Sequence, residues 1–189
     1  MKTIVLALVA LLSLSVPAVF AQDRDIMGMK PLQFDAGSIP YDQHPSGRPE
    51  LLKILLGRED TGGQFTLLMD VFEEATTEML VTPHKHDWHD ETFYVVRGKF
   101  EITNGDLDKK YIVEEDHVVF TPRGAWHSWR ALEPNSKVLM FYNPGGFENL
   151  WDVLLDLTPE QMKDKDFMRE LVSRYDTIPA PNGAVDHSE

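Results

Sequence analysis

Between residues 51 and 142 the chain breaks into nine short apolar or alternating runs, at 51–56, 65–72, 79–81, 92–97, 100–103, 110–113, 118–121, 126–131 and 138–142. Turn formers separate them, among them Gly57, Thr61-Gly62-Gly63, Gly98, Asn104-Gly105-Asp106 and Pro122-Arg123-Gly124. Short strands at such close spacing indicate an all-β fold, an antiparallel sandwich or barrel. After Asn143-Pro144-Gly145-Gly146 the period lengthens, because Phe147, Leu150, Trp151, Leu154 and Leu155 recur at three and four, which is helical spacing. Thr158-Pro159-Glu160-Gln161 is a capping signal, and it predicts a second helix running to about Tyr175 with Met162, Met168, Leu171, Val172 and Tyr175 near one face.

The flanks read differently. Residues 1–21 carry Lys2, an apolar stretch of about a dozen residues, Pro17, and Val19 and Ala21 at positions suited to cleavage. That stretch is shorter than the roughly 20 residues needed to span a bilayer, so a secretory signal peptide cleaved after about Ala21 is expected, with a secreted or periplasmic product. Residues 22–50 read as an extended arm, 51–145 as the β-barrel, 146–176 as the helical part and 177–189 as a loose, polar tail.

Composition narrows the chemistry. Eighteen Lys and Arg stand against 31 Asp and Glu, a formal net charge of −13, which argues against nucleic acid or an anionic membrane as partner. There is no Cys, so disulfides, thiolate metal sites and thiol nucleophiles are excluded together and a metal must be held by nitrogen and oxygen. Five of the seven histidines, His84, His86, His89, His117 and His127, fall between positions 84 and 127.

On a strand alternate side chains share a face, so His84 and His86 point one way and Lys85 the other. Glu91 enters the next strand, from which a short loop can return its carboxylate to the same point. Gly98 suits the tight hairpin that follows. Pro122-Arg123-Gly124 precedes His127 at the head of a strand. Three imidazoles and one carboxylate suit one divalent transition metal, Fe, Mn, Ni, Cu or Zn, with positions left for water or substrate. His44, His117 and His187 read as ordinary surface or core residues, whereas His89, at a loop position among the ligands, could replace Glu91 or support the ligands from behind.

The run His84-x-His86-x4-Glu91-x6-Gly98 resembles the first motif of the cupin superfamily from its first His onward, and Pro122-x-Gly124-x2-His127 resembles the core of the second. The resemblance covers about residues 60–145 and implies a jelly-roll β-barrel with the metal inside, held by His84, His86, Glu91 and His127. It departs where a glycine expected six residues before Pro122 is Asp116, where the glycine before the first His is missing, and where Ala131 stands in place of an Asn.

Strand parity then sorts the aromatics among Trp88, Phe93, Tyr94, Phe120, Trp126, Trp129, Phe141 and Tyr142. If His127 faces inward so does Trp129, and if Glu91 does so do Phe93 and Val95. Arg97 shares that parity but sits at its hairpin, where exposure is expected. With few inward basic candidates the pocket is expected to be apolar. The chain is similar to single-domain quercetin-dioxygenase-like cupins, including the segment from Asn143 to Glu148, which implies a dioxygenase or other oxidoreductase acting on a small phenolic or apolar substrate with Glu91 as catalytic base. A non-catalytic metal- or ligand-binding cupin, and a cupin isomerase or lyase, stand as alternatives. A homodimer through barrel edges or the N-terminal arm is the assembly considered.

Overall fold

A computed structural model describes residues 31–47, 49–76 and 82–181. The expected signal peptide, the strand expected at 79–81 and His187 lie outside the described residues.

The strands are β1 (Asp42–Gln43), β2 (Glu50–Leu56), β3 (Thr66–Phe72), β4 (His84–Lys85), β5 (Asp90–Arg97), β6 (Lys99–Asn104), β7 (Asp106–Glu114), β8 (Val118–Thr121), β9 (His127–Ala131), β10 (Ser136–Asn143) and β11 (Ile178–Pro179). They form two antiparallel sheets, in the orders β1-β2-β3-β10-β5-β8 and β11-β4-β9-β6-β7. Alternation drives their packing. Along β5 the buried members are Glu91, Phe93 and Val95, and along β10 they are Ser136, Val138, Met140 and Tyr142. The inner faces meet in a ring cluster in which Phe72 stands edge-on to Phe100 and to Trp129, with centroids 5.9 and 5.3 Å apart, while Phe93 lies 5.2 Å from Phe100 and 5.3 Å from Trp129. Each such ring contributes about 2 kcal/mol by leaving water.

Two turns show how local sequence holds this frame. Gly98 joins β5 to β6 at φ 87°, and a Cβ there would stand 2.8 Å from the Ser136 Cα, so both conformation and space demand glycine. Asp116, in the position where cupins are expected to have glycine, adopts φ 66°. Asp tolerates the left-handed region, and the Asp116 carboxylate is tied to the Tyr94 hydroxyl at 2.6 Å.

Beyond β10, Glu148 is buried and locks the chain back onto the barrel: its carboxylate accepts from the Arg58 N–H, the Thr66 hydroxyl and the Gly146 N–H. Helix α1 (Asn149–Leu155) buries Leu150, Trp151 and Leu154. The sequence predicts one helix from the Thr158 cap to Tyr175, whereas the structure has two, α2 (Pro159–Lys163) and α3 (Lys165–Arg174). The break has a local cause. Asp164 is extended (ψ 102°), and its carboxylate accepts the Asp166 and Phe167 N–H groups at 3.1 and 3.0 Å, so it caps a new helix instead of continuing the old one. The tail departs from expectation as well, since Ile178 and Pro179 pair with Lys85 and His84 on the sheet edge.

Candidate metal centre

The four side chains singled out by spacing converge. His84 on β4 lies in register with His127 on β9, which brings their ring centroids to 4.1 Å. His86 leaves β4 just past its end, two residues on, and its ring centroid is 4.9 Å from that of His84. Glu91 lies on the inner face of β5, opposite Tyr142 of β10. All four residues are at most 4% exposed, and one donor atom from each lies within 4.8 Å of the others.

The imidazoles are oriented by backbone. His84 Nδ1 lies 3.0 Å from the Thr82 carbonyl, His127 Nδ1 3.1 Å from the Ala125 carbonyl and His86 Nδ1 2.6 Å from the Asp176 carbonyl. A carbonyl only accepts, so each Nδ1 carries the proton, and each Nε2 is the atom left for the centre. Glu91 Oε2 is 3.0 Å from His127 Nε2 and 3.3 Å from His86 Nε2.

Electrostatics distinguish the members. Burial pushes the Glu91 carboxyl upward, but His127 and His86 outweigh it and hold the group well below the usual carboxylate range. Burial pulls the His127 imidazole down, and the Glu91 carboxylate more than reverses this, so it stays protonated above its ordinary pKa. His84 is driven well below its ordinary value by burial and by the neighbouring His127 and His86. Three nitrogen donors of fixed tautomer and one ionised carboxylate, buried together, match what a divalent transition metal requires, so the residues fit such an ion.

Other expectations fall out by parity. Trp129 and Phe93 face inward, as expected with His127 and Glu91, whereas Trp88, Phe120 and Phe141 are exposed. Arg97 is exposed, its Nε donating to the Asn135 carbonyl at 2.9 Å. His117 is exposed and turns onto the Glu114 carbonyl at 2.9 Å. His89 is a loop residue whose Nδ1 meets the Asp176 carboxylate at 2.7 Å.

A cavity of about 370 Å³ reaches His84. Its walls are Trp129, Met140 and Tyr142 of the barrel, Phe147, Leu150, Trp151 and Leu154 around α1, and Met162, Met168 and Val172 from the later helices. Tyr142 stacks on Phe147 with centroids 3.9 Å apart. Its phenol stays protonated, because burial and then the carboxylates Glu91, Asp70 and Glu50 push its pKa well up. The polar lining is His44, Ser46, Glu50, Asp70 and Thr177, besides His84, and no Lys or Arg contributes among the described residues.

Sequence reasoning missed several of these. Asp70 is fully buried between Leu68 and Phe72 on the inner face of β3, and the strict alternation of that strand was the signal that it points in. Glu50 and His44 had no comparable signal, because they sit where the arm joins β2. His44 meets Trp151 edge-on at 5.3 Å, a contact made only by tertiary packing.

Comparison with known proteins agrees with this geometry. Residues 72–142 match the family described as the Cupin domain. Over 105 residues the chain is 25% identical to quercetin 2,3-dioxygenase of Aspergillus japonicus, a match covering 54% of this chain and 30% of that protein's length. In structure it resembles KdgF from Halomonas sp., with TM-score 0.52 and 24% identity over 62% of this chain and 96% of that one. It also resembles a predicted oxalate decarboxylase from Thermotoga maritima, with TM-score 0.52 and 17% identity over 60% and 99% of the two chains. Family match, shared fold and buried donor set agree: residues 72–142 match a type-2 cupin domain and lie within a jelly-roll barrel.

Proposed function

We propose that this protein is an exported, metal-dependent oxidoreductase that uses dioxygen to oxidise or cleave a small phenolic or otherwise apolar organic substrate. The observation that carries the reading is the cavity: it reaches the buried four-residue cluster at His84 and is walled by Trp, Tyr, Phe, Leu and Met, with no Lys or Arg in its lining among the described residues. A pocket meant for a small dicarboxylate needs cationic groups to hold the second carboxylate, and here Glu50 and Asp70 face the space instead. The similarity to a quercetin 2,3-dioxygenase supports the same substrate class. Export rests on the N-terminal sequence.

A transition metal bound by His84, His86, Glu91 and His127 supplies Lewis acidity toward a substrate hydroxyl and, if redox-active, exchanges electrons with dioxygen. The chain's own residues do the rest. The aromatic walls exclude water and orient a flat substrate with one edge toward His84. The Glu91 carboxylate, ionised and within 3.3 Å of both His86 and His127 Nε2, is placed to take the proton of a substrate hydroxyl as the general base. Tyr142, kept neutral, offers an O–H donor beside it.

Elemental analysis of the purified protein followed by oxygen-electrode assays with quercetin and simpler phenols tests the reading. Iron, manganese, nickel or copper at about one equivalent with phenol-dependent oxygen uptake is expected. Zinc with no uptake on any phenol overturns it in favour of a binding protein or an isomerase. Glu91→Gln with metal retained is expected to lose oxygen uptake, and unchanged turnover removes Glu91 as base.

A further inference from the structure

The three imidazoles are not supported alike. His84 and His127 each donate Nδ1–H to a carbonyl two residues earlier in their own strand approach, Thr82 and Ala125. His86 donates to the carbonyl of Asp176, which is 90 residues away and lies outside the matched residues 72–142. His86 is 2% exposed, so without that carbonyl its N–H would be buried with no acceptor.

Asp176 does more than lend a carbonyl. Its carboxylate accepts the Asp87 N–H at 2.8 Å, the Trp88 N–H at 2.9 Å and the His89 N–H at 3.0 Å, and it contacts His89 Nδ1 at 2.7 Å. One side chain therefore holds the whole turn between the ligands His86 and Glu91, and Asp176 itself is buried. Its backbone position is informative as well. Helix α3 ends with the Asp176 N–H on the Ser173 carbonyl at 3.3 Å and the Thr177 N–H on the Val172 carbonyl at 2.9 Å, with Asp176 at φ 63°. That is the helix-ending pattern in which the left-handed residue is usually glycine. Helix termination alone does not call for a carboxylate there, whereas the loop 87–89 does.

We propose that Asp176 is a positioning residue of the metal centre, fixing the orientation of His86 and the spacing from His86 to Glu91, so that the C-terminal helical segment is an integral part of the metal site. The next residue, Thr177, lines the cavity. The anchor of the ligand turn and the wall of the pocket are thus consecutive residues of one segment. The inference rests on the reading that the four-residue cluster binds a metal.

The test is a titration of the full chain with cobalt(II), followed by its visible absorption, on wild type, Asp176→Gly, Asp176→Asn and Leu171→Ala, with melting midpoints measured metal-free and metal-loaded. Asp176→Gly removes the carboxylate but suits φ 63°, so its metal-free midpoint is expected to fall no further than that of Leu171→Ala, while its cobalt affinity falls about 10- to 100-fold and the absorption spectrum changes. Asp176→Asn keeps one acceptor oxygen and the tolerance for a left-handed backbone, and is expected to fall between the two. Leu171→Ala loosens α3 without touching the ligand turn, and is expected to lower the midpoint with cobalt affinity and spectrum close to wild type. Wild-type affinity and spectrum in Asp176→Gly overturn the proposal, as does an equal loss of affinity in Leu171→Ala, which would reduce Asp176 to general support. Failure of the wild type to bind cobalt or any other divalent transition metal overturns the metal reading itself, and the proposal with it.

Discussion

Two regions meet at the candidate metal centre, and they are built on different principles. Residues 82–131 supply the donors through strand geometry, since pairing of β4 with β9 and the alternation of β5 bring His84, His127 and Glu91 together with little else required. The C-terminal segment from Phe147 to Pro179 supplies no donor. It roofs the cavity with Trp151, Met162, Met168 and Val172 and ties down the ligand turn through Asp176. The difference teaches that the identity of the donors is a local matter, while the shape of the pocket above them is decided by helices whose sequence carries no ligand motif.

The sharpest way to break this division is at the donors. His127→Ala removes one nitrogen donor and the partner of Glu91, and metal content is expected to drop from about one equivalent to below about a tenth, measured by elemental analysis, with the barrel still folded. Next comes the frame under the donors. Gly98→Val forces a β-branched residue to φ 87° against Ser136, and a loss of about 3 kcal/mol is expected in urea unfolding, with the surviving folded fraction still binding metal. A loss below about 0.5 kcal/mol would mean the β5–β6 turn rearranges freely.

Trp151→Ala sharpens the comparison from the other side. Trp151 packs on His44 and lines the cavity but is not a partner in the Nδ1 hydrogen bonds of His84, His86 and His127. Binding of quercetin by the metal-loaded protein is expected to weaken about tenfold by calorimetry while metal affinity stays unchanged. If metal affinity fell equally, roof and donors would be one unit rather than two.

A further effect is expected with pH, and the two states respond with opposite sign. His127 has its pKa raised in the metal-free fold, chiefly by Glu91 against the pull of burial, so its ion pair adds stability that is full below its unfolded pKa, about 6.5, and is lost as pH rises through the raised value. Metal must displace that same proton, so metal affinity is expected to weaken about tenfold per pH unit on acidification below the raised pKa and to level off above it. Thermal midpoints with and without metal across pH 5 to 9 read both slopes, and parallel slopes would show that His127 carries no displaced proton.

Much of the barrel was legible because period-two alternation and turn chemistry are local. The strand at 118–121 falls where the sequence puts it, and the inward parity of His127 with Trp129 and of Glu91 with Phe93 holds. The boundaries that differ have local causes too, such as Asp164, whose short carboxylate turns one expected helix into two. Other features had no local signature. The pairing of Ile178–Pro179 with β4 joins residues more than 90 positions apart, and nothing in that polar, Pro-bearing tail announces a sheet edge.

The amino-acid sequence alone determined the donor set, since two histidines two apart, a glutamate five further on and a histidine after a Pro-Gly turn specify chemistry through strand geometry and leave no thiol to compete. Tertiary structure alone decided what surrounds the donors. It turned Asp70, Glu50 and His44 toward one cavity, laid an apolar helical roof over it, and brought the Asp176 carbonyl to His86. The physical reason is range. Side-chain direction along a strand is fixed by the two neighbouring peptide units, whereas a cavity wall or an acceptor supplied from 90 residues away exists only once the separate elements have packed against each other.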